Sequence, residues 1–259
     1  MEYKFLQCEV ENNIALITIN RPPLNPLNTQ VFREFITLFS ELEINNDVQV
    51  IIITGSGEKA FVAGADIQEM STLDQISLMN MSSISRAAFS KIENISKPVI
   101  AAINGLALGG GLELALTCDL RICSDTAKFA FPEIGLGIIP GGGGTQRIQK
   151  IVGQGVAKEL LYFGDMFDAE RALELQIVNK VVPAKELLAV TKGWAERLAE
   201  RPQIALRMLK TAVNTGANID IESGLTLEAA CFCNAFVTED RKEGMQAFVE
   251  KRRPNYTGR

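Results

Sequence analysis

The stretch Ile103-Asn-Gly-Leu-Ala-Leu-Gly-Gly-Gly-Leu-Glu113-Leu-Ala-Leu116 decides the reading of this chain. Three consecutive glycines, Gly109 to Gly111, are costly inside any regular element. A turn that opens a helix over Gly109–Thr117 accounts for them. The start of a helix presents unpaired N–H groups and the positive end of its dipole, which suits an oxyanion. A tight, closely packed turn with no ligand is the alternative. The run lacks the Lys-Ser/Thr of a phosphate loop, and its spacing does not match the dinucleotide fingerprint.

Glu113 follows the triplet among Leu112, Leu114, Ala115 and Leu116. A second glutamate stands in similar company downstream, in Phe129-Ala-Phe-Pro-Glu133-Ile-Gly-Leu-Gly-Ile-Ile-Pro-Gly-Gly-Gly-Gly144. An ionised carboxylate among apolar groups is costly, and desolvation raises its pKa. The chain has no histidine. Proton transfer near neutral pH therefore falls to carboxylates, cysteine, lysine or tyrosine, and two carboxylates in different environments are one established solution. Read singly, Glu113 is either a solvated helix residue or a general base, and Glu133 either an exposed loop residue or an acid.

Around this centre the first half alternates strand-like and helix-like segments. Ile14–Ile19, Val48–Thr54, Pro98–Ile103, Leu120–Cys123 and Lys128–Ala130 read as strands. Asn28 offers an N-cap to a helix patterned by Val31, Phe35, Leu38, Phe39 and Leu42. A helix is expected from Asp66 to about Lys91, bent near Ser82-Ser83. Asp66 is its candidate N-cap, exposing the amide of Ala65 or Asp66. The order implies mainly parallel strands with helical crossovers. From Thr145 onward the pattern is nearly all helical: Gly153–Phe163, Asp168–Leu175, Lys185–Leu198, Pro202–Val213, Ile219–Val237 and Glu239–Lys251, with a short strand at Val178–Val182. An α/β core over residues 1–200 with a helical appendage over 201–259 is expected.

Composition narrows the function class. The length of 259 residues and 47% apolar content suit a soluble globular protein. A net charge of −5 argues against general nucleic-acid binding, Lys251-Arg252-Arg253 being a local exception. Five cysteines (Cys8, Cys118, Cys123, Cys231, Cys233) form no CxxC pair. Reduced, buried thiols in a cytoplasmic protein and no metal are expected. Met1-Glu-Tyr-Lys-Phe-Leu-Gln7 lacks the character of a signal or transit peptide, and no apolar run reaches membrane-spanning length.

Taken together, Asn20-Arg-Pro-Pro-Leu-Asn25, Ala63-Gly-Ala-Asp66, Ala101 to Ala115, Cys118-Asp119, Pro132-Glu-Ile-Gly-Leu-Gly137 and Pro140-Gly-Gly-Gly-Gly-Thr-Gln-Arg147 resemble the crotonase, or enoyl-CoA hydratase/isomerase, superfamily over essentially the whole chain. The resemblance implies a spiral of ββα units with a C-terminal helical trimerisation region, in a homotrimer or a hexamer of paired trimers. It implies acyl-CoA thioester substrates, no membrane or nucleic-acid partner, and no cofactor beyond the CoA of the substrate. Ala65 and Gly110 match the two oxyanion-hole amides. Glu113 matches the residue that activates water for attack at the β-carbon, and Glu133 the one that protonates the α-carbon. Gly141 matches a water-positioning amide. Ala63, Asp66, Ile67 and Gln68 match the acyl-CoA path, and Leu24 a position near CoA. The basic C-terminal residues resemble groups that approach CoA phosphates, sometimes from a neighbouring subunit. Phe131 replaces a Gln of some hydratases and is expected to narrow or dry the acyl pocket. The expected reaction is reversible hydration of trans-2-enoyl-CoA to 3-hydroxyacyl-CoA. Isomerisation or decarboxylation of another acyl-CoA, or an RNA-binding role on the same fold, are the alternatives.

Overall fold

The computed structural model describes residues 3–259. The run Val50–Gly55 is apolar at nearly every position and buried throughout, as a strand covered on both faces must be. It forms β3. Before it come β1 (Leu6–Glu11), β2 (Ile14–Ile19) and helix α1 (Thr29–Ile44). The expected Asn28 cap is present: its side-chain oxygen accepts from the Val31 amide at 2.9 Å.

Beyond β3 the chain repeats one pattern. β4 (Ala60–Ala63) leads to helices α2 (Ile67–Met70) and α3 (Gln75–Asn94). β5 (Val99–Ile103) and β6 (Leu106–Leu108) lead to α4 (Gly110–Thr117). β7 (Leu120–Ser124) and β8 (Lys128–Ala130) lead to a 3-10 turn (Pro132–Leu136) and α5 (Gly144–Phe163). β9 (Phe167–Asp168), α6 (Ala169–Glu174) and β10 (Lys180–Val182) follow. The last helices are α7 (Leu187–Ala199), α8 (Gln203–Gly216), α9 (Ile221–Phe236) and α10 (Glu239–Glu250). Each ββα unit gives one strand to each of two sheets. The larger sheet has the order β1-β2-β3-β5-β7-β10 and the smaller β4-β6-β8-β9. β1 pairs antiparallel with β2, and β9 with β8; the remaining pairings are parallel.

The alternation of strand side chains divides the core. Ile17, Ile51, Ile53, Ala101 and Ile103 face the main cluster with α1, α3 and α4. Val50, Ile52, Ile100, Ala102 and Ile122 face a second cluster capped by Leu187 and Ala195 of α7. β4, β6 and β8 run parallel, and Ala63, Leu108 and Ala130 stand side by side at their C-terminal ends. Ligands in parallel α/β sheets bind at such ends.

Some expectations need correction. The helix expected from Asp66 breaks at residues 71–74 rather than at Ser82-Ser83. Asp74 starts a new helix by accepting from the Ser77 amide at 2.7 Å, whereas Ser85 bonds back to the Ser82 carbonyl and leaves the helix continuous. α5 begins at Gly144, before the expected Gly153, which instead interrupts it with φ 76°. The short strands β1, β4, β6 and β9 went unread, being too brief or too polar to show a period. Cys118, Cys123 and Cys231 are buried, but Cys8 is half-buried and Cys233 exposed. Cys231 and Cys233 lie two apart on α9, about 200° around the helix.

Candidate active site

The first element of the site is the turn after β4. Asp66 caps α2 by accepting from the Glu69 amide at 3.1 Å and pairs with Arg21. Arg21 also donates to the Pro26 carbonyl at 3.0 Å. That loop runs alongside: Leu27 N–H donates to Gly64 at 2.9 Å, and Asp66 N–H donates to Leu27 at 2.7 Å. The Asp66 amide is thus occupied, and of the two amides expected here Ala65 is the one left to a ligand. Among the described residues it donates to no protein acceptor.

The second element is the start of α4. Gly109 has φ 48° and ψ −117°, a backbone that glycine alone adopts readily. It donates to the Ala130 carbonyl at 2.9 Å, which aims the first turn of α4 outward from the sheet end. A Cβ placed on Gly110 would stand 3.5 Å from the Ala65 nitrogen. The two amides expected to hold an oxyanion are therefore neighbours, brought together by the pairing of β4 with β6.

Glu113 is buried, not solvated, at 3% exposure. Its Oε1 accepts from the amides of Gly142 at 2.8 Å and Gly144 at 2.7 Å. Gly144 opens α5, so the carboxylate also meets the positive end of that helix dipole. Burial pushes its pKa up, while the Gly144 and Gly142 amides and the Arg147 charge pull it down. Both bonds fall on Oε1 and leave Oε2 unengaged.

Glu133 sits in the 3-10 turn after β8. Its carboxylate lies against Gly109, where a Cβ would be 2.6 Å from Oε1. Its Oε2 is buried and accepts no hydrogen bond from the described residues. Burial raises its pKa to about 7, and the negative charge of Glu113 adds to the rise. The glutamates thus occupy contrasting environments: two glycine amides and a nearby cation favour the charge on Glu113, whereas Glu133 has only its own backbone N–H to set against desolvation and the Glu113 charge.

The remaining expected residues are placed unevenly. Ala63 donates to the Leu24 carbonyl at 3.0 Å, so the Leu24 loop borders the Ala65 turn. Ile67 and Gln68 are exposed on α2 beside it. Gly141 is exposed and precedes the glycines that bind Glu113. Phe131 does not face an open acyl path: it is fully buried, its ring beside Gly144 and Glu113, where it helps to dry the base. The basic C-terminal residues are not brought to the glutamates. Arg252 pairs with Glu243 and Glu250, and Arg253 with Glu200. The grip of Gly142 and Gly144 on Glu113 was not foreseen. Its signal was the glycine run itself, since Cβ atoms at those two positions would collide with the Glu113 carboxylate and with Phe89 or Phe131.

The enoyl-CoA hydratase/isomerase family model matches residues 9–259. The chain belongs to that family. A short-chain-enoyl-CoA hydratase of Clostridium acetobutylicum is 43% identical over 98% of this chain and 97% of its own. A crotonyl-CoA hydratase of Syntrophomonas wolfei subsp. wolfei is 45% identical over 99% of each chain. The crystal structure of an enoyl-CoA hydratase from Bacillus anthracis superposes with a TM-score of 0.95 at 38% identity, covering 99% of this chain and 100% of that one. The spiral α/β fold of this family is the fold seen here. Among the described residues no helix is long and apolar enough to cross a membrane.

Proposed function

We infer that this protein is an enoyl-CoA hydratase that adds water reversibly to trans-2-enoyl-CoA thioesters. The observation that carries the reading is the contrast between the carboxylates: Glu113 is buried and held by the amides of two glycines, whereas half-buried Glu133 has an Oε2 with no partner among the described residues and a pKa raised to about 7.

The thioester carbonyl oxygen accepts from the Ala65 and Gly110 amides, where negative charge grows as the β-carbon is attacked. Water approaches the free Oε2 of Glu113, with Gly141 N–H helping to place it. Glu113 takes one proton from the water as its oxygen bonds to the β-carbon. The double-bond electrons move toward the thioester, and the resulting enolate takes the Glu133 proton at the α-carbon. Transfer of one proton from Glu113 to Glu133 restores the starting states. Water, substrate and two glutamates close this balance, so no metal or redox group is needed. Ala63, Asp66, Ile67, Gln68 and Leu24 border the entry for the acyl-CoA.

Four-carbon substrates are the first candidates, because a short-chain and a crotonyl-CoA hydratase resemble the chain over almost all its length. Leu209 and Val213 of α8, Phe232 and Phe236 of α9, and Phe248 and Val249 of α10 are exposed, Phe248 by 85%. Further copies of the chain cover these apolar faces, as a trimer or a pair of trimers. The basic residues 251–253 then approach CoA from a neighbouring subunit. A cytoplasmic location accords with the reduced cysteines.

Loss of the enoyl-thioester absorbance tests the activity, with four-, eight- and sixteen-carbon trans-2-enoyl-CoAs as substrates. Rapid hydration, fastest for the shortest chain, is expected. Turnover of 3-enoyl-CoA without hydration would make the chain an isomerase instead.

A further inference from the structure

Arg147 has no part in the proton transfers above, yet it is built into the wall behind Glu113. It lies on the first turn of α5, and its guanidinium spends three donor atoms on two partners. Nε donates to Glu93 Oε1 at 3.0 Å and Nη2 to Glu93 Oε2 at 2.7 Å, a two-pronged pair across to α3. Nη1 donates to the Gly142 carbonyl at 2.9 Å. Glu93 is held in turn, its carbonyl accepting from Asn214 of α8 at 3.4 Å.

The place of that carbonyl in the chain matters. The Gly142 carbonyl belongs to the peptide that lies between the two amides gripping Glu113, those of Gly142 and Gly144. A run of four glycines has the widest conformational freedom of any segment here, and nothing in its own side chains fixes those amides. Gly143, at φ 105°, leaves its Cα bare, and a Cβ there would be 2.1 Å from Arg147 Nη1. The guanidinium therefore lies directly over the segment it pins. A planar fork that binds a carboxylate along one edge and a carbonyl from another is specific to arginine; lysine supplies the charge without the geometry.

We propose that Arg147, oriented by Glu93, is a positioning residue that holds the Gly142 and Gly144 amides on Glu113 and so sets the basicity of that carboxylate. The proposal rests on the reading of Glu113 as the base. Few charges compete for this role. Glu133 faces Glu113 from the turn after β8, and Arg147 from α5 with Glu93 of α3 behind it. At the far end of α4, Arg121 is bound to the carbonyls of Ala115 and Cys118, and Asp119 pairs with Lys210.

The test is the pH profile of four-carbon enoyl-CoA hydration by wild type, Arg147→Met, Arg147→Lys, Glu93→Gln and the Arg147→Met/Glu93→Gln double variant. Arg147→Met should lose roughly 10- to 100-fold in kcat with KM little changed, the scale set by small displacements of a catalytic group. The acid limb of its kcat/KM should move to higher pH, since the base loses both a cation and well-aimed donors. Arg147→Lys should restore much of the limb but little of kcat. The double variant should be no worse than Arg147→Met alone, because Glu93 acts through Arg147. A wild-type kcat, a fall in kcat with an unmoved acid limb, or additive losses in the double variant would each overturn the proposal. If Arg147→Met does not fold, the same limb in Arg147→Lys and kcat in Glu93→Gln decide it, wild-type values in both overturning it. Glu113→Gln separates the two readings. Full activity there removes the base itself, whereas an inactive Glu113→Gln beside a normal Arg147→Met removes only the positioning role.

Discussion

The Glu133 carboxylate rests on the bare Cα of Gly109: a Cβ at that glycine would lie 2.6 Å from Oε1. The proposed acid and the turn that opens α4 therefore share one space, and glycine leaves room for both. Gly109 also has φ 48° with ψ −117°, strained for any residue with a side chain. Gly109→Ala should cost about 1–3 kcal/mol of stability and displace Glu133. An accompanying kcat loss on the order of 100-fold is expected, read from urea midpoints and steady-state hydration.

Gly110→Ala is the cleaner probe of the oxyanion site. Its Cβ meets only ordinary contacts, Ala65 N at 3.5 Å and Leu27 Cδ1 at 3.6 Å, and the backbone is unstrained. The protein should fold as wild type. The methyl group would screen the Ala65 amide from a carbonyl oxygen, so kcat should drop by about 10²–10³-fold, the scale for loss of one such donor. Circular dichroism and kcat, measured together, check both halves.

Glu133 should dominate the basic side of the pH profile. An acid must hold its proton, so kcat/KM should fall as pH rises through about 7. In Glu133→Gln that limb should vanish together with roughly 10²–10⁴-fold of the rate. Stability follows the same group. Its folded pKa is raised, so the stabilisation is complete below the ordinary glutamate pKa and is lost as pH rises through about 7. Glu133→Gln should therefore melt higher than wild type at pH 8, and the difference should close below about pH 4.

Phe131 is fully buried beside Gly144 and Glu113. Phe131→Leu should alter kcat through the base it shields, with the four- to eight-carbon rate ratio unchanged. A shifted ratio would place the ring in the acyl path after all.

The parallel order of the larger sheet and the two glutamates were legible because each left a local mark, whereas β4, β6 and β9 of the smaller sheet left none. Val50–Gly55 is a continuous apolar run that only a doubly covered strand needs, and Gly109 to Gly111 flank a carboxylate among leucines. The amide pair was legible only by resemblance, because β4 and β6 meet through long-range pairing that leaves no local period. The hold of Gly142 and Gly144 on Glu113, with Arg147 behind them, was hidden for the same reason. An arginine on an amphipathic helix reads as a solvated charge until its partner, Glu93 on α3, is in place. The burial of Phe131 beside Gly144 was not legible, because a sequence position beside a glutamate does not tell which face of the wall a ring occupies.

The most direct measurement is steady-state hydration of crotonyl-CoA by Glu113→Gln, with folding checked by circular dichroism. Glutamine keeps the shape of the side chain and can still accept from the Gly142 and Gly144 amides, but it cannot take a proton from water. A fall in kcat of about 10²–10⁴-fold with KM little changed is predicted. Wild-type turnover by that variant would contradict the two-carboxylate account.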